Sequence, residues 1–161
     1  MADDHDPQDA VVIERTFPAD IGVVWRLWTE PDHFANWYGP TGATIPAATL
    51  DVRVGGTRLV CMEVETPAGS RRMWFTGEYR EVVDRKRLVY TEAMADEHGN
   101  VLPPDAVGLP DGHPVTTEII VELEDLGGTT RMTMTHLGVP PDSPGAAGWN
   151  MAFDKLAALV D

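Results

Sequence analysis

Among the polar side chains, His136 has the type and setting best suited to chemistry. An imidazole titrates near neutral pH and can accept or pass on a proton. Alternation along the run Arg131 to His136 puts Met132, Met134 and His136 on one face, against Arg131, Thr133 and Thr135 on the other. If the methionine face is the inner one, His136 points toward the mouth of an interior space. There it could bond a ligand or serve as a weak candidate for acid–base catalysis. The plainer alternative is a histidine at a strand end with its hydrogen bonds satisfied. Glu63, Glu65, Glu78, Glu118 and the Tyr79 phenol could also move a proton, although strand carboxylates are usually solvated. His5, His33, His98, His113 and His136 show no i, i+4 pair and no ligand-like spacing to a cysteine, so neither a metal nor a cofactor is expected. Gly55-Gly56 and Gly127-Gly128 read as turns, not as a phosphate loop, and no GxSxG elbow occurs. Cys61 sits mid-strand, where a small buried apolar residue is the default. The residues favour binding over catalysis.

Five tryptophans give that binding a material basis. Indole rings make flat cavity walls, and each N–H is a single polar anchor. Trp25 and Trp28 fall on an apolar helix face and read as core. Trp37 beside a Gly-Pro turn, Trp74 within a strand and Trp149 at the start of the last helix are candidate ligand contacts. Met62, Met132 and Met134 join them, because methionine adapts to irregular apolar shapes. Tyr90, Phe153 and His136 complete the candidate site.

These side chains must be positioned by a domain that 161 residues can build. The formal charge of −14, from 12 basic and 26 acidic residues, argues against nucleic acid or an anionic membrane, since both require a basic footprint. One cysteine excludes an internal disulfide and points to a reducing, cytoplasmic setting. Residues 1–9 read as a flexible acidic leader without the apolar core of a signal peptide, and residues 10–161 as one domain. No run approaches the roughly 18 apolar residues of a membrane span, so no membrane insertion is expected.

A strand over 10–17 is followed by an N-cap at Asp20 and a helix whose apolar face carries Ile21, Val24, Trp25 and Trp28. Pro31 ends that helix, and Asp32 opens a short second one through Trp37. Strands follow near 44–54, 57–66, 71–83, 87–95, 115–125 and 129–137, with Gly55-Gly56 as a tight hairpin turn. The stretch 96–114 has no usable period. A terminal helix begins near Gly148-Trp149-Asn150, with Trp149, Ala152, Phe153, Leu156, Ala157 and Val160 on one face. Antiparallel strands with segregated helices make an α+β plan.

Several segments then resemble a known family. Arg15-Thr16-Phe17-Pro18-Ala19-Asp20, Val24-Trp25-Arg26-Leu27-Trp28-Thr29-Glu30-Pro31 and Trp37-Tyr38-Gly39-Pro40 are similar to the opening of the SRPBCC (START/Bet v 1-like) superfamily. The nearer resemblance is to its branch related to the C-terminal domain of the Hsp90 ATPase activator Aha1. Asp51 to Gly56, Gly77-Glu78-Tyr79, Arg87 to Thr91, Gly128 to His136 and Gly148 to Leu156 carry it along the chain. The resemblance implies a helix-grip fold: a curved antiparallel sheet of about six to seven strands around a long C-terminal helix. Two short helices follow strand 1, and a cavity lies between sheet and helix. The fold hosts lipid carriers, hormone receptors, cyclases and co-chaperones, so it does not fix the function. The expected function is binding of a small, largely apolar or aromatic molecule. The alternatives are a cyclase-like or hydrolase-like enzyme, with His136 and a strand Glu or Tyr79, and an Hsp90-type co-chaperone module. The chaperone partner is the least supported, because the branch is named for one domain of a larger protein. Strand edges leave a homodimer open, and the 96–114 stretch is expected to lie over the cavity as a lid.

Overall fold

Alternation along the strand segments resolves into one antiparallel sheet with one face given to the core. A computed structural model describes residues 10–103 and 115–160. In chain order the elements are β1 (Ala10–Phe17), α1 (Ile21–Thr29), α2 (Pro31–Phe34), β2 (Thr44–Leu50), β3 (Thr57–Thr66), β4 (Gly69–Val83) and β5 (Arg87–Ala95). There follow β6 (Thr116–Asp125), β7 (Thr130–Leu137) and α3 (Pro144–Val160). The seven strands lie in the order β1-β7-β6-β5-β4-β3-β2, every neighbour antiparallel. The first strand therefore closes against the last, and α1 and α2 span the long connection to the far edge at β2. The α+β helix-grip plan and its two short helices are as the sequence implies.

Register puts the core on a single face. Val11 stands opposite His136, and His136 opposite Ile119. Val121 faces Met134, Leu123 faces Met132, and Val60 faces Phe75. The α3 helix lies across this face, with Trp149, Ala152, Phe153 and Leu156 buried. Each large apolar side chain there contributes about 1.5–3 kcal/mol by burial. The exposed Arg15–Asp154 pair at 3.0 Å adds at most about 1 kcal/mol. Burial holds the helix.

Local boundaries differ from the sequence reading in instructive ways. The Asp20 carboxylate does cap α1, accepting from the Gly22 N–H at 3.1 Å. The second helix starts one residue earlier than expected and is shorter, with Pro31 in its first turn, where no intrahelical N–H is needed. The same rule moves α3 back to Pro144, with the Ser143 carbonyl accepting from the Ala146 and Ala147 amides. β2 ends at Leu50 instead of 54, and the connection to β3 is no tight two-residue turn. Residues 51–56 fold back so that the Gly55 N–H bonds the Tyr79 carbonyl and the Tyr79 N–H bonds the Gly56 carbonyl.

Residues 96–102 are not structureless either. The Asp96 carboxylate accepts from the His98 and Asn100 amides, Val101 bridges Ala95, and the Leu102 N–H bonds the Met94 carbonyl. The remainder of the expected lid, 104–114, and the expected leader, 1–9, lie outside the described residues.

Gly77, in mid-strand, is demanded by close approach. A Cβ on Gly77 would sit 1.8 Å from the Thr91 carbonyl oxygen and 3.4 Å from Cγ of Arg58, its partner across β3. Gly77→Ala is therefore expected to lower stability by about 1–3 kcal/mol through forced backbone displacement. Urea unfolding checks this, and an unchanged midpoint contradicts the close approach.

Candidate functional site

The Tyr38-Gly39-Pro40 segment after α2 faces the first two turns of α3, and small residues on both sides keep them apart. Gly145 and Gly148 present bare backbone there; a Cβ on Gly148 would meet only the Pro40 Cβ, at 4.0 Å. The gap is a cavity of about 580 Å³, within the size range of small-molecule sites. Its sheet wall is soft and apolar, built from Met62, Met73, Phe75 and Met94. Lys155 fastens the opposite rim, its Nζ donating to the Pro40 carbonyl at 3.3 Å. Burial depresses the Lys155 pKa.

Beneath the floor lies a charge that the sequence reading missed. Arg58 is 2% exposed, on the inner face of β3, in phase with Val60 and Met62. Its guanidinium carbon stands 3.9 Å from the centre of the Tyr90 ring, with Phe34, Tyr38 and Tyr79 rings between 5.4 and 5.9 Å. Such cation–π contacts gain strength when water is excluded. Its Nη1 is 3.6 Å from Oε2 of Glu92, an ion pair just outside hydrogen-bonding distance. Burial opposes the charge on Arg58, but Tyr90, Tyr38, Tyr79 and Glu92 outweigh it and raise the guanidinium pKa.

Glu92, from β5, is the one carboxylate on the cavity wall among the described residues. The Tyr38 hydroxyl donates to its Oε2 at 2.9 Å. Since that spends the only Tyr38 proton, the 3.1 Å contact between Tyr38 and Tyr90 has Tyr90 as donor. Burial raises the pKa of Tyr38, Tyr79 and Tyr90 above the ordinary phenol value, so all three keep their protons. The nearby Arg58 charge opposes that rise at Tyr79, and among the described residues neither the Tyr79 hydroxyl nor Arg58 Nε and Nη1 has a hydrogen-bond partner within bonding geometry.

His136 sits at the opposite side of the cavity and is fully engaged. Its Nδ1 accepts from the Trp149 indole N–H at 2.9 Å, so in the neutral ring the proton is on Nε2. Nε2 then donates to Thr117 Oγ1 at 2.7 Å, and Thr117 donates to the Glu92 carbonyl at 3.3 Å. Burial lowers the His136 pKa, with Glu92 pulling weakly the other way. A ring with both nitrogens bonded to protein has no lone pair to offer as a general base.

Of the candidate contacts, Met62, His136 and Trp149 line the cavity together. Trp37, Tyr90, Met132, Met134 and Phe153 are buried behind the wall. Trp37 bonds the Leu27 carbonyl at 2.7 Å and packs edge-on to Trp28, with ring centres 4.7 Å apart. Trp74 is a correction: Met73 and Phe75 on either side of it line the cavity, so strand alternation turns its side chain to the other face. The proton-transfer carboxylates are corrected too. Glu63 pairs with Arg72, Glu65 with Ser70 and Glu78 with Arg80, and none of these, nor Glu118, lines the cavity. Tyr79 is likewise behind the wall. Glu92 and Tyr38 take their places. The one sequence signal for Glu92 is its phase: Leu88, Tyr90, Glu92 and Met94 share a strand face, three of them apolar or aromatic. Among the described residues no group of three or more His, Cys, Asp or Glu could hold a metal. No helix among them is long and apolar enough to cross a membrane.

This architecture has known counterparts. Residues 18–161 match the family model described as Activator of Hsp90 ATPase homolog 1-like protein. A crystal structure from Nitrosomonas europaea is similar with a TM-score of 0.75 at 24% identity, over 96% of each chain. One from Chromobacterium violaceum gives 0.76 at 24% identity, over 94% of this chain and 96% of that one. A solution structure from Arthrobacter aurescens gives 0.71 at 26% identity, over 98% of this chain and 89% of the other. No curated protein matches the chain.

The His136 bonds carry a pH signature. Because its folded pKa is depressed, the unfolded chain takes up this proton first as pH falls through the ordinary value of about 6.5. Stability is thus full above that value and declines below it, until the folded pKa is passed. His136→Asn, whose Oδ1 can replace Nδ1 as the indole's acceptor, is expected to lose less stability than wild type between about pH 7.5 and about pH 5. Denaturant midpoints at the two pH values measure the difference; parallel losses would contradict the assignment.

Proposed function

The chain belongs to the Activator of Hsp90 ATPase homolog 1-like protein family, and from that premise we propose that it takes up a small, largely apolar molecule between its sheet and α3. The observation that carries this reading is the apolar cavity of about 580 Å³ at the small-residue gap between Tyr38-Gly39-Pro40 and α3. Sites for small molecules are concave, mostly apolar and supplied with a few polar groups. Met62, Met73 and Met94 suit an occupant of variable shape, while Trp149 and Phe75 give flat walls.

An enzymatic use of the same cavity finds less support. His136 has both nitrogens bonded within the protein, and Glu92 has its Oε2 held by Tyr38 and Arg58, leaving only Oε1 to face the space. Neither group adjoins an activated nucleophile, the arrangement that covalent catalysis requires. The co-chaperone reading has only the family's description behind it.

N-phenyl-1-naphthylamine, a neutral apolar dye, tests the proposal. Its fluorescence should rise saturably with protein, at about one dye per chain, as expected for one formed pocket. Gly148→Phe supplies the structural control. Its Cβ has open space, its side chain would enter the cavity, and phenylalanine is a better helix former than glycine by about 0.3–0.5 kcal/mol. The variant should keep or raise the melting temperature while weakening dye binding by about tenfold or more, equivalent to 1.4 kcal/mol. Unsaturable dye partition in the wild type, or undiminished binding in Gly148→Phe, would remove the cavity as the site.

A further inference from the structure

We infer that the molecule held in this cavity is neutral and carries a hydroxyl group, which it donates to the free oxygen of Glu92. The inference rests on the binding proposal and concerns which apolar molecules qualify.

The polar side chains of the wall decide it by subtraction. His136 has its acceptor nitrogen filled by Trp149 and its N–H given to Thr117. Tyr38 has given its proton to Glu92 and received one from Tyr90, so its oxygen retains only acceptor capacity. Glu92 directs Oε2 at Tyr38 and Arg58, and no hydrogen bond from the described residues reaches Oε1. Its side chain keeps 14% exposure while Arg58 keeps 1%. The donors of Arg58 thus lie behind the carboxylate, out of the ligand's reach. What the wall's side chains offer are acceptors, and an acceptor selects a donor.

Charge narrows the class further. An anion such as a fatty acid would set its carboxylate against Glu92 in a poorly solvated space, which like charges disfavour. A cationic amine would meet the Arg58 charge 3.6 Å behind the Glu92 oxygen, so the buried pair already has its balance. A neutral alcohol or phenol meets neither penalty. It gains a hydrogen bond to an ionised acceptor, the stronger kind.

Equilibrium dialysis of the full chain at neutral pH against three naphthalenes of one skeleton provides the test. They are 2-naphthol, 2-methoxynaphthalene and 2-naphthoate. The ether keeps the oxygen and removes the donor; the acid adds the negative charge. Wild type should hold 2-naphthol at least about tenfold more tightly than the ether, a ratio equivalent to 1.4 kcal/mol, with naphthoate weakest. In Glu92→Gln the discrimination against naphthoate should shrink. If that variant does not fold, the wild-type ranking alone decides. Equal binding of naphthol and ether, naphthoate as the tightest ligand, or no binding of any of the three while N-phenyl-1-naphthylamine still binds would overturn the inference and leave the cavity proposal standing. Failure of the dye and all three compounds overturns both.

Discussion

A guanidinium cannot shed its proton in a protein, so burying Arg58 fixes much of what surrounds it. The charge needs a counter-ion and polarisable faces. Glu92 supplies the first; Tyr90, Tyr38, Tyr79 and Phe34 supply the second. Gly77, opposite Arg58 on the next strand, answers a separate demand, because a Cβ there would run into the Thr91 carbonyl oxygen at 1.8 Å. A buried ion pair is weak evidence of stability, since apolar residues of similar volume often serve as well. What this pair contributes is position. It anchors a carboxylate in an otherwise apolar floor and ties the segment after α2, through Tyr38, to the middle of the sheet.

The cavity thereby stands between two polar arrangements of opposite kind. On one side Trp149, His136 and Thr117 form a closed chain that joins α3 to β7 and β6, with each member satisfied by another. Its neutral imidazole links the helix to the sheet without placing a charge in the gap. On the other side Arg58, Glu92 and the tyrosines leave acceptor capacity facing the space. A closed network rigidifies, whereas an open one selects. The two are joined through the backbone, where Thr117 reaches the carbonyl of Glu92 itself.

The fold was legible in the sequence because its signals are periodic. The alternation of Met132, Met134 and His136 and the stripe of Trp149, Phe153 and Leu156 each named the face that the structure buries. Boundaries were less legible, since Pro144 and Pro31 are breakers inside a helix but acceptable in its first turn. The site was legible only in part. Phase points His136 inward, methionine's adaptability singles out Met62, and its place near the head of the terminal helix singles out Trp149, whereas alternation turns Trp74 to the other face. Arg58 was hidden by its neighbours: Leu59 and Cys61 on one side of β3 are as apolar as Val60 and Met62 on the other, so strand phase did not flag the charge as inward. Glu92 depended on Arg58 and was lost with it. No local pattern encodes a partnership between strands two apart in the sheet.

The space itself is the last consequence of these constraints. Interiors pack densely, and unfilled apolar volume forfeits contacts on every side. A side chain at Gly148 would fill part of it, since a Cβ there meets nothing closer than 4.0 Å and the helix itself would gain. The chain instead keeps glycine at a position where alanine would strengthen α3, opposite a Gly39-Pro40 turn that holds the rim away. Local stability is given up where doing so opens a lined cavity above an anchored carboxylate. That trade has a physical rationale when something else occupies the volume, and the acceptors left on its wall describe what that occupant must donate.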